Sequence, residues 1–222
     1  MSAKSTSTFK PVRLVSLSDG VFSIVLTLLV VTLQPPATSG RDLAADLLDA
    51  LPRLEAWIVS FVVVGSFWVL HHTVVGLIER TDTTFNYLNL LLLMFLSIVP
   101  WTSALLGSYP DPLAVVLFSA MLGLAGLTLT LQWIYATGRA ALVSDRLPEH
   151  IRRAVLLLLA RVPLVAILSI AVACFNRAMG LRIWLLVAVL GAIIWGRRRL
   201  VHEGAKASSL GRDAEAQAVI RL

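Results

Sequence analysis

The sequence predicts an all-α, polytopic membrane protein with six transmembrane helices per subunit. Three observations carry that prediction. Of its 222 residues, 58% are hydrophobic and 14% charged, where soluble domains hold about 45–50% and about 25%; mean hydropathy is +0.84. Apolar runs recur at residues 14–33, 55–78, 85–106, 112–136, 154–175 and, more briefly, 181–195, and a spanning helix needs about 20 such residues. Basic residues gather at the ends of these runs. A lone apolar run satisfies its backbone in lipid only as a helix, so residues 1–200 are read as one six-helix membrane domain and residues 201–222 as a polar tail.

Each element follows from local signals. The first run stops at Pro35-Pro36. Residues 37–54, with Asp42, Asp46 and Asp49, read as a polar loop with a short amphipathic turn. The second run ends at Glu79-Arg80-Thr81-Asp82, and the third at Gly107-Ser108-Tyr109-Pro110, with Pro100 near its end. The fourth is followed by a basic loop, residues 139–153. The fifth contains Pro163, and Pro100 and Pro163 are expected to kink or end their helices. The sixth lies between Trp184 and Trp195.

Charge follows the same organisation. A formal net charge of +6 would suit nucleic acid if clustered on a soluble surface. Here the basic residues flank apolar runs, where they orient helices and meet anionic headgroups, so no nucleic-acid partner is expected. Lys4, Lys10, Arg13, Arg80, Arg139, Arg146, Arg152, Arg153 and Arg197 to Arg199 fall on one side of the alternating topology. The positive-inside bias therefore predicts a multi-pass cell-membrane protein with both termini cytoplasmic. The single cysteine, Cys174, rules out an intramolecular disulfide and reads as a small buried hydrophobe. Asp19 and the length of the first run argue against a cleaved signal peptide, since no A-x-A site follows.

Asp19 is the most informative residue. A carboxylate within a spanning helix costs roughly 2.5–3.5 kcal/mol on insertion scales and usually faces other helices or water. Beyond it, Ser16, Gly20, Ser23, Thr27 and Gln34 share one helical face, adjoined by an apolar stripe of Ile24, Leu28 and Val31. Small residues let helix backbones approach closely. The same face would also suit a pore wall, with hydroxyls for a permeating cation and an aliphatic ring that closes by dewetting. Periodicity is compatible with both.

Two further groups stand out. The second run carries Gly65, Trp68, His71, His72 and Glu79; a hydrogen-bonded cluster against Arg13, Ser18 or Asp19 is one reading, and a proton relay or pH sensor another. A metal site is disfavoured because adjacent histidines diverge on a helix and no H-E-x-x-H pattern is present. Arg161 lies inside the fifth run and must snorkel or find a partner such as Asp19. Asn86 and Asn89 read as helix–helix hydrogen-bond donors. No nucleophile–base pattern, phosphate loop or dinucleotide fingerprint occurs, so no enzyme is predicted.

Arg13-x-x-x-Leu17-Ser18-Asp19, followed by Gly20-Val21-Phe22-Ser23-Ile24, resembles the Arg-x-x-x-Phe-Ser-Asp signature of the transmembrane protein 175 family of potassium channels. Ser60-Phe61, Gly65, Trp68 and His71-His72 resemble its second helix, and Leu88-Asn89 with the Pro100 region its third. The resemblance covers about the first 100 residues. It implies a single-repeat homotetramer without a Thr-Val-Gly-Tyr-Gly filter loop, conducting potassium passively along a pore lined by the first helices. No cofactor is implied, only permeant K+. By position, Ile24, Leu28 and Val31 would form the constriction, and Ser23 and Thr27 the hydroxyl positions beside it. Arg13, Ser18, Asp19, Trp68 and His71 or His72 would hold the first helix to the second. Leu17 replaces the signature aromatic. Val31 is smaller than the family's usual residue, which implies a wider secondary constriction. A proton-coupled transporter using Asp19 and His71/His72, and an intramembrane metalloenzyme around His71, His72 and Glu79, are the readings from other classes.

Overall fold

Helix α1 (Val12–Val31) has a single buried stripe: Leu14, Ser18, Phe22, Val25 and Leu29. That three-to-four residue spacing is one face of an α-helix. The computed structural model describes residues 10–34, 42–138, 140, 142–144 and 147–186. After α1 come α2 (Leu43–Val75), α3 (Thr83–Ser97), α4 (Val99–Ser108), α5 (Pro112–Thr137) and α6 (Glu149–Ala173), then helical residues 177–186. Among the described residues, five helical spans, α3 and α4 counted as one, are long and apolar enough to cross a membrane. Most of the sixth expected run, from residue 187 on and including Trp195, lies outside the described residues, as does the tail.

One helix start and one proline differ from expectation, and the break at the other proline matches it. Helix α2 starts at Leu43 rather than near residue 55, through the stretch read as a loop. Asp46 in its first turn complements the helix dipole, Ala44, Ala45, Leu47, Leu48, Ala50 and Leu51 are helix formers, and Pro52 is carried within the helix. Its 33 residues span about 50 Å, more than the roughly 30 Å of bilayer hydrocarbon. The third run is two helices broken at Ile98, because Pro100 cannot donate to the residue four back and crowds its carbonyl. Pro163 breaks nothing: α6 runs through it.

Small residues and hydroxyls hold the bundle together. A Cβ added to Gly126 would come within 2.5 Å of Val162 Cγ1, and one on Gly123 within 2.7 Å of Ala166 Cβ, so α5 and α6 approach at backbone distance. Ser119 and Ser169 hydroxyls lie 2.8 Å apart, Trp184 Nε1 donates to Ser119 Oγ at 2.9 Å, and Ser169 donates to the Gly180 carbonyl at 2.7 Å. These bonds fasten residues 177–186 to α5 and α6. Ser60 donates to Ser103 at 2.8 Å between α2 and α4, and Arg182 pairs with Glu55 at 2.8 Å. Cys174 is exposed at the end of α6 rather than buried, its thiol facing the Ile170 carbonyl.

One end of the bundle is organised by Asp82. Its Oδ1 caps α3 by accepting from Phe85 N at 2.8 Å, and its Oδ2 accepts from Tyr135 Oη at 2.6 Å. A short antiparallel bridge, Ile78 to Val143, joins the α2–α3 turn to the segment before α6. The start of α1 lies at this end.

Candidate functional site

The shape of α1's surroundings defines the site. Only 22% of its apolar window is buried within the subunit, against 50% for α2 and 56% for α5. Helix α6 is similarly uncovered at 28%, but its exposed side chains include Leu157, Leu164, Ile167 and Leu168, which suit lipid. The exposed face of α1 carries Ser16, Gly20, Ser23, Ile24, Thr27 and Val31, with Leu28 beside them. Nothing lies within 4 Å of a Cβ placed on Gly20. Hydroxyls and a bare glycine are poorly matched to acyl chains.

The hydroxyls are polarised. Ser16 Oγ donates to the Val12 carbonyl at 3.0 Å, and Thr27 Oγ1 to the Ser23 and Ile24 carbonyls at 3.1 and 2.9 Å. With each hydrogen turned to the helix backbone, the lone pairs face outward and present acceptors, which suit a cation. Ile24, 58% exposed, stands between Ser23 and Thr27; Leu28 and Val31 follow over two turns, about 10 Å along the axis. Near the opposite end from Asp82, a groove of about 350 Å³ is lined by residues including Leu28, Val31, Gln34, Arg53, Trp101 and Ser108.

Directional bonds anchor α1 through buried Ser18 on its opposite face and through exposed Asp19 at its flank. Trp68 Nε1 donates to Asp19 Oδ1 at 2.9 Å. His71 Nε2 lies 2.9 Å from Asn89 Oδ1, Asn89 Nδ2 donates to Ser18 Oγ at 2.9 Å, and Ser18 donates to the Leu14 carbonyl at 2.9 Å. Read from the carbonyl backwards, this chain assigns the Nε2 proton to His71, since the amide oxygen can only accept. His71 is buried and its ring lies 5.6 Å from Phe22. The result is a fully bonded tie between α1, α2 and α3.

Not every expected member joins this tie. His72 is exposed and lies against the Trp68 ring at 5.7 Å, so the two histidines diverge. Arg13 makes no hydrogen bond or ion pair among the described residues and instead lines a pocket with Lys10. Asp19 is bonded to Trp68, not to Arg161, whose Nε is buried without a partner among the described residues. Asn89 was legible only as a generic donor; its role bridging His71 and Ser18 needed three helices at once. Asp82 carried a cap signal before α3, but Tyr135 as its partner lies 53 residues away. Among the described residues, no three His, Cys, Asp or Glu side chains converge as metal ligands would.

Known proteins resemble the chain in sequence and in fold. The family described as "Endosomal/lysosomal potassium channel TMEM175" matches residues 13–100, which hold α1, α2, α3 and the start of α4. A potassium channel of Streptomyces collinus is 33% identical over 148 residues, 64% of this chain and 72% of the relative. One of Chamaesiphon minutus is 34% identical over 145 residues, 62% of this chain and 71% of the relative. The crystal structure of a lysosomal potassium-selective channel TMEM175 homolog from Chamaesiphon minutus superposes with a TM-score of 0.73 at 27% identity, covering 82% of this chain and 95% of that one.

Proposed function

The chain belongs to the TMEM175 family, and from that premise we propose that it is a potassium channel whose α1 helices line a central pore in a homotetramer. The observation that carries this reading is the uncovered face of α1. It joins the outward lone pairs of Thr27 and the exposed Ser23 to an exposed Ile24. Among the described residues this face is open on a single subunit, and symmetric copies that turn it to a shared axis would enclose a conduit. An aliphatic ring at Ile24 is then a constriction that forces partial dehydration, with Leu28 and Val31 as further apolar levels. Potassium, more weakly hydrated than sodium, passes such a ring more readily, and the flanking hydroxyls replace part of its water.

Orientation follows from charge. Lys10, Arg13, Arg80, Arg152 and Arg153 lie at the Asp82 end of the bundle. Arg53, Arg177 and Arg182 lie toward the other, among Asp42, Asp46, Asp49, Glu55 and Asp111. The positive-inside rule puts the Asp82 end, where α1 begins, in the cytoplasm; the expectation for the C-terminus lies outside the described residues.

The test is Ile24→Asn in the purified, bilayer-reconstituted channel. The expected outcome is a raised single-channel conductance and a potassium-over-sodium permeability ratio lowered several-fold. Unchanged conductance and ratio would remove Ile24 from the pathway.

A further inference from the structure

Helix α1 begins beside a pocket that the conduction pathway does not use. It encloses about 200 Å³ and is lined by Lys10, Arg13, Leu14, Thr81 and Asn86. Two cations from the root of α1 thus face the start of α3. Neither Lys10 nor Arg13 has a hydrogen-bond or ion-pair partner among the described residues. Asn86 adds an amide whose Oδ1 is buried and unbonded, and Thr81 is itself buried. Two uncommitted cations at one pocket repel each other unless an anion lies between them, and a phosphate group offers several oxygens to such a cluster. Asn86 lines the same pocket, and a headgroup hydroxyl beside the phosphate, a donor that the phosphate oxygens are not, would satisfy its amide oxygen. Leu14, also in the wall, holds the carbonyl on which the Ser18–Asn89–His71 chain ends.

We propose that this pocket binds the phosphate of an anionic phospholipid headgroup and thereby ties the root of α1 to α3. Its placement in the cytoplasmic leaflet rests on the orientation argued above. Anionic headgroups are concentrated at that surface and attract basic side chains there. Free phosphate shares the chemistry, so the test separates the two sources.

The experiment measures lipid binding rather than current, so it stands or falls apart from the conduction reading. The purified full chain is delipidated and titrated with short-chain phosphatidylglycerol or phosphatidylcholine, and bound lipid is counted by native mass spectrometry. Lys10→Gln and Asn86→Asp are measured beside the wild type. The first removes a cation, and the second sets a carboxylate against the phosphate. Phosphatidylglycerol is expected to bind in preference to phosphatidylcholine, with its half-saturation raised about fivefold by either variant while the assembly mass is unchanged. Displacement of the lipid by millimolar inorganic phosphate would assign the pocket to free phosphate and overturn the headgroup assignment. Equal phosphatidylglycerol binding by wild type and both variants would overturn the site.

Discussion

Thr27 separates the packing and pore readings most sharply at the residue scale. Its hydroxyl hydrogen is held by the Ser23 and Ile24 carbonyls, so Thr27→Val keeps the shape of the helix face while deleting an outward acceptor. Conductance is expected to fall several-fold with thermal stability unchanged, measured by single-channel recording and by melting of the purified protein. If stability falls and conductance does not, the hydroxyl serves packing. On the opposite face, Asn89→Leu strands buried His71 and Ser18 without their shared partner. Unsatisfied buried groups cost about 1–3 kcal/mol, so the midpoint of chemical or thermal unfolding is expected to drop. Ser18 and Asp19 were legible as anomalies in an apolar run, because a polar group there demands a partner. Which partner each takes was not, since Trp68 lies 49 residues from Asp19 and Asn89 lies 71 from Ser18.

The elements divide by what covers them. Helix α5 is buried on most of its circumference and meets α6 through Gly123 and Gly126. Gly126→Leu would drive a side chain into Val162 and Pro163, and overpacking of this kind typically costs about 1–3 kcal/mol. A clear fall in melting temperature is expected, with the ion preference of the surviving fraction unchanged. Existence and type of each helix were legible, because length and apolarity suffice in lipid. Ends were less so. The early start of α2 was masked by Asp46, Asp49 and Pro52, which read locally as loop, whereas Asp42 and Asp46 sit at a helix start. The break at Ile98 was foreshadowed by Pro100, and Pro163 shows that the same residue type can lie inside a continuous helix.

At the scale of the whole molecule, the proposed assembly follows from one helix face that leaves hydroxyls, a glycine and branched aliphatics exposed together. The assembly in detergent is expected to have four times the subunit mass, read by native mass spectrometry. A monomer would count against an axial conduit between subunits. Function at this scale has its own measurement. In reconstituted vesicles or bilayers, the reversal potential is expected to follow the potassium gradient and to stay fixed when pH is changed on one side. A shift with pH at fixed stoichiometry would favour a coupled carrier built on Asp19 and the histidines. The geometry bears on that alternative: His71 is bonded to Asn89, His72 turns away, and Asp19 is bonded to Trp68.

The sequence by itself determined that the chain is a membrane bundle, roughly where each helix runs, and that one face of the first helix is unlike a lipid surface. These are local consequences of hydropathy and a 3.6-residue period, readable within a window of one helix. Only the tertiary structure decided which side of α1 is anchored and which is left open, that His71 rather than His72 joins the buried tie, and that Lys10 and Arg13 meet Asn86 across a pocket. Those outcomes depend on contacts between residues tens of positions apart, and such pairings are set by packing three helices together, not by the pattern along any one of them.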